Sequence, residues 1–193
     1  ASDWELYCPT LIPHNRPFEV DMRVTISASA TCASVCARSA VLASSGTLDA
    51  VLTAAESGCL VIGGVEAGSV VGALSELSLL VPVEQRARLR TRIARSLRGI
   101  VAQSLLQRSH RAGRVPVVEI LVGNPAARNA IRLGDFQELP GIMQRCRGLG
   151  MQTADIALRG LLARHLVSQE EALLHAADRE QLLSGAMRPG AAR

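Results

Sequence analysis

Lysine is absent from this chain: all 21 of its basic residues are arginine. These residues therefore cannot form a phosphate-cradling loop of the G-x-x-x-x-G-K-[ST] type. That loop needs a compact ammonium on a flexible stem to hold the β- and γ-phosphates, and the wide planar fork of arginine does not replace it. Aromatic residues are scarce too, at 2%. Their scarcity removes base-stacking platforms, so a nucleic-acid partner is not expected, and it leaves the core to Leu, Val, Ile and Ala. No apolar run approaches the ~20 residues that span a bilayer. Uncharged Val24–Ala37 is too short, too rich in Ser and Ala and too far from the first residue to be read as a signal peptide. The five cysteines are odd in number and irregularly spaced, which argues against a disulfide framework. Cys32 and Cys36 have no second ligand pair at zinc spacing, so no metal is expected, and the thiols read as reduced residues of a cytosolic protein. His14, His110, His165 and His175 lie apart without HExxH-like spacing and read as surface residues.

What is present suffices for a folded core. The 193 residues are 48% hydrophobic, enough for one domain, or a core with a small appendage. The net charge of +4 is modest but unevenly placed. Between Glu84 and Arg114 stand Arg86, Arg88, Arg90, Arg92, Arg95, Arg98, Arg108, Arg111 and Arg114, with Glu84 the sole acid. Such a block suits a subunit interface or an anionic membrane surface.

Three stretches differ in texture. Residues 1–46 hold Trp4, Tyr7, Phe18, three prolines and a Ser/Ala/Cys-rich tract; they read as a divergent leader with one short strand near Met22–Ser27. Residues 47–123 read as α/β. Thr47 caps a helix through Ser57 that Gly58 ends, and Cys59–Gly64 is a buried strand. Ser69 caps a helix over Val70–Leu80, and a long helix follows from Val83 to Gln107, with Leu89, Ile93, Leu97, Ile100, Val101 and Leu105 at three- and four-residue spacings. Val115–Val122 is a second buried strand. Residues 124–193 read as all-α: a helix opened by Pro125, then Phe136–Arg147, Thr153–Leu166 and Glu170–Leu183, the last begun by a Ser168/Glu171 capping box.

Leu52–Gly58 (LTAAESG), Ser104–Arg108 (SLLQR), Val118–Arg132 (VEILVGNPAARNAIR), Gly150–Asp155 (GMQTAD) and Val167–Ala172 follow one another in an order and spacing that resemble the type IV pilus retraction ATPases, the PilT/PilU family of secretion ATPases. The resemblance covers roughly 140 residues, in what would be the C-terminal portion. It implies an α/β fold in which a partial RecA-like core is followed by an all-α C-terminal helical region. It also implies hexameric assembly at the cytoplasmic face of the inner membrane, with pilus motor or platform proteins as partners and ATP with magnesium as cofactor. Arg128, Asn129, Ile131 and Arg132 match the family's AIRNLIRE helix, which the resemblance ties to retraction rather than hydrolysis. Ala130 replaces its Leu and Leu133 its terminal acid.

The chain departs from the family where nucleotide chemistry is expected. No lysine-bearing loop is present, and the residues before Thr47 are too few for the family's N-terminal domain and P-loop unit. Two readings of Val24–Leu42 remain: a ruined strand–loop–helix with Ser27–Ser34 as its loop, or an unrelated leader. Ala40–Leu48 (AVLASSGTL) has no carboxylate where the family places its Walker B acid. In the histidine box Cys59 replaces one histidine, and Val65, Glu66 and Ala67 replace a Leu-His-Thr triplet. Glu66 would repel triphosphate oxygens rather than help them. The expectation is a non-hydrolysing homologue that takes no cofactor and acts as a binding or assembly partner, or a degenerate product. The alternatives are an ATPase half completed by a P-loop-bearing polypeptide, and a basic adaptor for anionic lipid or nucleic acid. With the P-loop and Walker B strands missing, both buried strands are expected to present unpaired edges and to promote self-association.

Overall fold

The computed structural model describes residues 23–28, 37–110, 112–180 and 182. The readings placed on Trp4, Tyr7, His14, Phe18, Cys32, Cys36 and Arg111 lie outside them, as does most of the Ser27–Ser34 loop.

A five-stranded mixed sheet carries the fold, in the order β2-β3-β1-β4-β5. Its first unit is β2 (Ala37–Val41), α1 (Ser45–Glu56) and β3 (Leu60–Glu66), with the two strands parallel. Ser44 rather than Thr47 is the N-cap: its extended backbone turns the hydroxyl onto the Thr47 N–H at 3.2 Å. Gly58, at φ +93°, supplies the left-handed turn that returns the chain to the sheet. Ser69 starts α2 (Val70–Leu79) as expected, accepting from the Gly72 N–H at 3.0 Å.

The leader's strand, β1 (Arg23–Ala28), lies between β3 and β4 and runs antiparallel to both. A strand–phosphate-loop–helix unit feeds parallel strands, so β1 followed by β2 does not have that topology. Nor is β3 left with open edges, because β1 and β2 pair along its two sides.

One expected helix is instead a helix and a strand. α3 (Val83–Ser96) stops where Leu97 turns extended, and Gly99–Gln107 forms β4. Ile100, Val101 and Leu105 satisfy a helical period when read alone. Pairing in full register with β5 (Arg114–Val122) selects period two instead, and Ile100, Ala102 and Leu106 are the residues buried. Pro116 is tolerated because β5 is the last strand of the sheet.

Beyond the sheet come α4 (Pro125–Leu133), α5 (Leu139–Arg145), α6 (Ala154–Ala163) and α7 (Gln169–His175), with single 3-10 turns before and after α5. α7 is shorter than expected. The chain is extended at Ala176, and the Ala177 N–H donates to Asp155 Oδ1 at 3.0 Å rather than continuing the helix. The capping box is also only half formed. Ser168 Oγ accepts from the Glu171 N–H at 3.1 Å, while Glu171 Oε1 accepts from the Gln107 N–H at 3.1 Å, tying α7 to the end of β4.

Two hydrophobic clusters result among the described residues. The larger joins α1, α2 and α3 to the sheet and takes in Ala127, Ala130 and Ile131 of α4, Leu139, Ile142 and Met143 of α5, and Met151. The smaller gathers Leu106, Val115 and Val117 under Leu158, Leu161, Val167, Ala172 and Leu182. The β4–β5 hairpin therefore serves both, one end each.

Candidate functional site

The helix that carries the four residues expected to match the retraction motif, α4, is capped at both ends. Asn124 caps it by accepting from the Ala127 N–H at 2.8 Å, and Pro125 occupies the first turn, where a missing N–H costs nothing. Gly134, at φ +84°, closes it by donating to the Ala130 and Ile131 carbonyls. The four motif residues divide between its two faces. Ile131 is fully buried in the larger cluster, and Arg128 is half-buried. Asn129 and Arg132 are exposed and bonded to each other, Arg132 Nη2 donating to Asn129 Oδ1 at 2.8 Å. Leu133, at 61% exposure, extends that outer face.

Arg128 does not share a face with Arg132 as a free pair of cations. Its guanidinium is a clamp on the end of α3: Nε donates to the Gly123 carbonyl at 2.7 Å, Nη1 to Ala94 and Arg95 at 3.1 and 2.8 Å, and Nη2 to Leu97 at 2.9 Å. A helix C-terminus leaves carbonyls without intrahelical partners and carries partial negative charge. One planar fork satisfies three of those carbonyls and one from the strand end. Gly123 is required at the same junction, since a Cβ there would lie 2.4 Å from the Leu97 carbonyl oxygen.

The histidine-box positions are not brought together. Cys59 precedes β3 and Glu66 ends it, so about seven residues of extended chain, ~23 Å, separate them. Glu66 is exposed, with its Cα opposite that of Arg23 in the β1–β3 register. His110, His165 and His175 are exposed, as the sequence led one to expect.

Sequence reasoning missed Glu119. It is buried on β5 between Val117 of the smaller cluster and Leu121 of the larger. Its carboxylate accepts the first N–H of α2, Val70, at 2.7 Å, and lies beside the first N–H of α6, Ala154. Two helix N-termini thus point at one side chain. Burial pushes the Glu119 carboxyl above the usual carboxylate range; the Val70 and Ala154 N–H groups oppose the shift, and buried Asp155 nearby adds to it. The signal was a lone acid amid apolar VVEILV. Beside it the GMQTAD segment docks on the sheet edge. Gln152 exchanges backbone hydrogen bonds with Ile120 at 2.7 and 3.0 Å, and its Nε2 donates to the Val118 carbonyl at 2.8 Å.

No protein-family model matches the chain. It is 36% identical over 126 residues to the type IV pilus retraction ATPase PilT of Pseudomonas aeruginosa, covering 65% of this chain and 36% of that protein. It is 32% identical over 136 residues to a twitching motility protein of Neisseria gonorrhoeae, covering 70% and 36%. Among solved structures, the pilus retraction motor PilT with bound ADP superposes at a TM-score of 0.67 with 28% identity, over 76% of this chain and 41% of that one. The ATPase DotB of Legionella pneumophila superposes at 0.57, over 68% and 35%, with 21% identity, and supports the fold alone. By class, then, the chain carries a RecA-like α/β core of the secretion-ATPase kind with a helical region behind it. Within that class it is similar to the PilT and PilU ATPases, and it spans about a third of the length of the curated relatives it matches.

Proposed function

We propose that this chain acts as a non-hydrolysing binding or assembly partner in a twitching-motility apparatus, corresponding to the C-terminal portion of a PilT-like subunit. The reading is carried by the outer face of α4. Arg128 and Ile131 hold the helix to the core, so Asn129, Arg132 and Leu133 are displayed on a surface that needs no ordering on contact. Partner recognition is assigned to those three rather than to the four motif residues as a block. The partner is a pilus motor or platform protein, or a second copy of this chain, at the cytoplasmic face of the inner membrane. No helix among the described residues is long and apolar enough to cross a membrane.

Nucleotide chemistry does not fit the residues present. Phosphoryl transfer is almost wholly positioning and charge neutralisation. The sequence has no lysine, β1 runs antiparallel to β3, and Glu66 offers a repelling carboxylate instead of a sensor. Co-purification with the hexameric retraction motor tests the reading, together with a thermal melt with and without ATP and magnesium. The expected result is retention on the motor that falls at least tenfold in an Asn129→Ala/Arg132→Ala variant whose melt is unchanged, and no nucleotide-dependent shift. A saturable, magnesium-dependent rise in melting temperature would overturn it.

A further inference from the structure

A cleft of about 920 Å³ opens between the C-terminal end of α1 and the flank of α3, lined by Arg88, Arg92, Arg95 and Arg98, with Glu56 its one carboxylate among the described residues. That carboxylate is already neutralised. Arg92 donates to both its oxygens, at 2.8 and 2.9 Å, and also to Asp49, so the acid and one arginine form a fixed wall. Arg88, Arg95 and Arg98 are exposed, and none closes an ion pair among the described residues. Positions 88, 92 and 95 share one face of α3, ~6 and ~10 Å apart along its axis, and Arg98 follows where the chain turns extended at Leu97. Like charges at these spacings repel, and bound oxyanions would relieve the repulsion. Guanidinium groups match phosphate oxygens in paired hydrogen bonds. A span of ~10 Å is more than one phosphate bridges.

We propose that this cleft binds an anion bearing two or more phosphate groups, held by Arg88, Arg95 and Arg98 against the Arg92–Glu56 wall. The same chemistry has two sources: a free polyphosphate chain, or the headgroups of an anionic phospholipid surface. The site is independent of the α4 face. The full chain is titrated calorimetrically with inorganic tripolyphosphate, and separately co-sedimented with phosphatidylcholine vesicles with and without phosphatidylglycerol. Saturable binding to at least one probe is expected, weakened about tenfold or more by Arg88→Gln/Arg95→Gln and also by Arg98→Gln alone. Arg164→Gln, an exposed arginine beyond the end of α6, should leave it unchanged. Binding of tripolyphosphate alone assigns the site to a free anion, and binding of the phosphatidylglycerol vesicles alone assigns it to lipid headgroups. Failure to bind either probe, or an Arg164→Gln loss equal to that of the double variant, overturns the proposal.

Discussion

Arg128 and Arg132 stand four residues apart with the same charge, yet one is a fastening and the other a surface. Replacing Arg128 with Ala strands three carbonyls at the end of α3 and one at Gly123. Three of these four bonds are part-buried and one is exposed; hydrogen bonds from a charged group are worth about 1.5–3 kcal/mol, so Arg128→Ala should lower stability by about 2 kcal/mol. That is a fall of roughly 4–8 °C in Tm for a chain of this size. Arg128→Lys should recover only part of it, because an ammonium cannot span the same fork of acceptors. Arg132→Ala should move the melt by less than about 0.5 kcal/mol. Equal effects from the two alanine variants, measured by denaturant unfolding, would contradict this division. Glu119 allows a second test. Its folded-state pKa is raised by burial, so the folded chain holds that proton more tightly than the unfolded one. Its contribution is fully present below the ordinary value of 4.5 and is lost as pH rises through the raised folded value. Glu56 runs the other way: hydrogen bonding to Arg92 lowers its pKa, so its contribution is present above the ordinary value and lost as pH falls through the folded one. Glu119→Gln isolates the first term. Its stability relative to the parent should increase as pH rises above about 4.5 and then level off. An offset that stays constant across that range would show that Glu119 does not titrate as a buried acid.

At the scale of elements, α3, α4 and the end of β5 meet at one junction, and Gly123 is where no side chain fits. Gly123→Ala should cost about 1–3 kcal/mol through overpacking against backbone. Gly148→Ala, with nothing within 4 Å of the added carbon, should cost far less. Comparable losses in urea titrations would mean that the junction yields. The same junction marks how far the sequence could be read. Helices α1, α2 and α4 were legible because their signals are local: Ser69 and Pro125 at a start, Gly58 at an end, apolar residues at helical spacing; even so, the α1 cap fell on Ser44 rather than Thr47. β4 was not, since nothing within Gly99–Gln107 separates a helix from a strand until β5 pairs with it along its whole length. Pairing partners are non-local, and so are hydrogen-bond partners. That is also why Arg128 read only as one of four residues of a motif helix, and why Glu171 read as the second half of a capping box rather than the anchor of Gln107.

Over the whole molecule, the two clusters share the β4–β5 hairpin but not equally. The larger is built from several elements on its own account, whereas the smaller consists of α6, α7 and Leu182 leaning on the far end of that hairpin. Beyond that apolar contact, polar attachments tie α6, α7 and the turns beside them to the rest: Gln152 to Ile120, Glu171 to Gln107, and Ser109 to the carbonyls of His165 and Leu166. An element that rests on a folded base can open without the base, while the reverse leaves it nothing to rest on. Amides of α6 and α7 should therefore exchange with solvent at a lower opening free energy than those of α2 and β4. Leu158 and Leu77 are both fully buried, one in each cluster, and truncating either to Ala should cost about 2–5 kcal/mol locally. Leu158→Ala should speed exchange in α6 and α7 while leaving α1 and α2 protected, whereas Leu77→Ala should speed exchange in both units. Acceleration of α1 and α2 by Leu158→Ala to the same extent would mean that the clusters unfold as one, and that the polar attachments couple them fully.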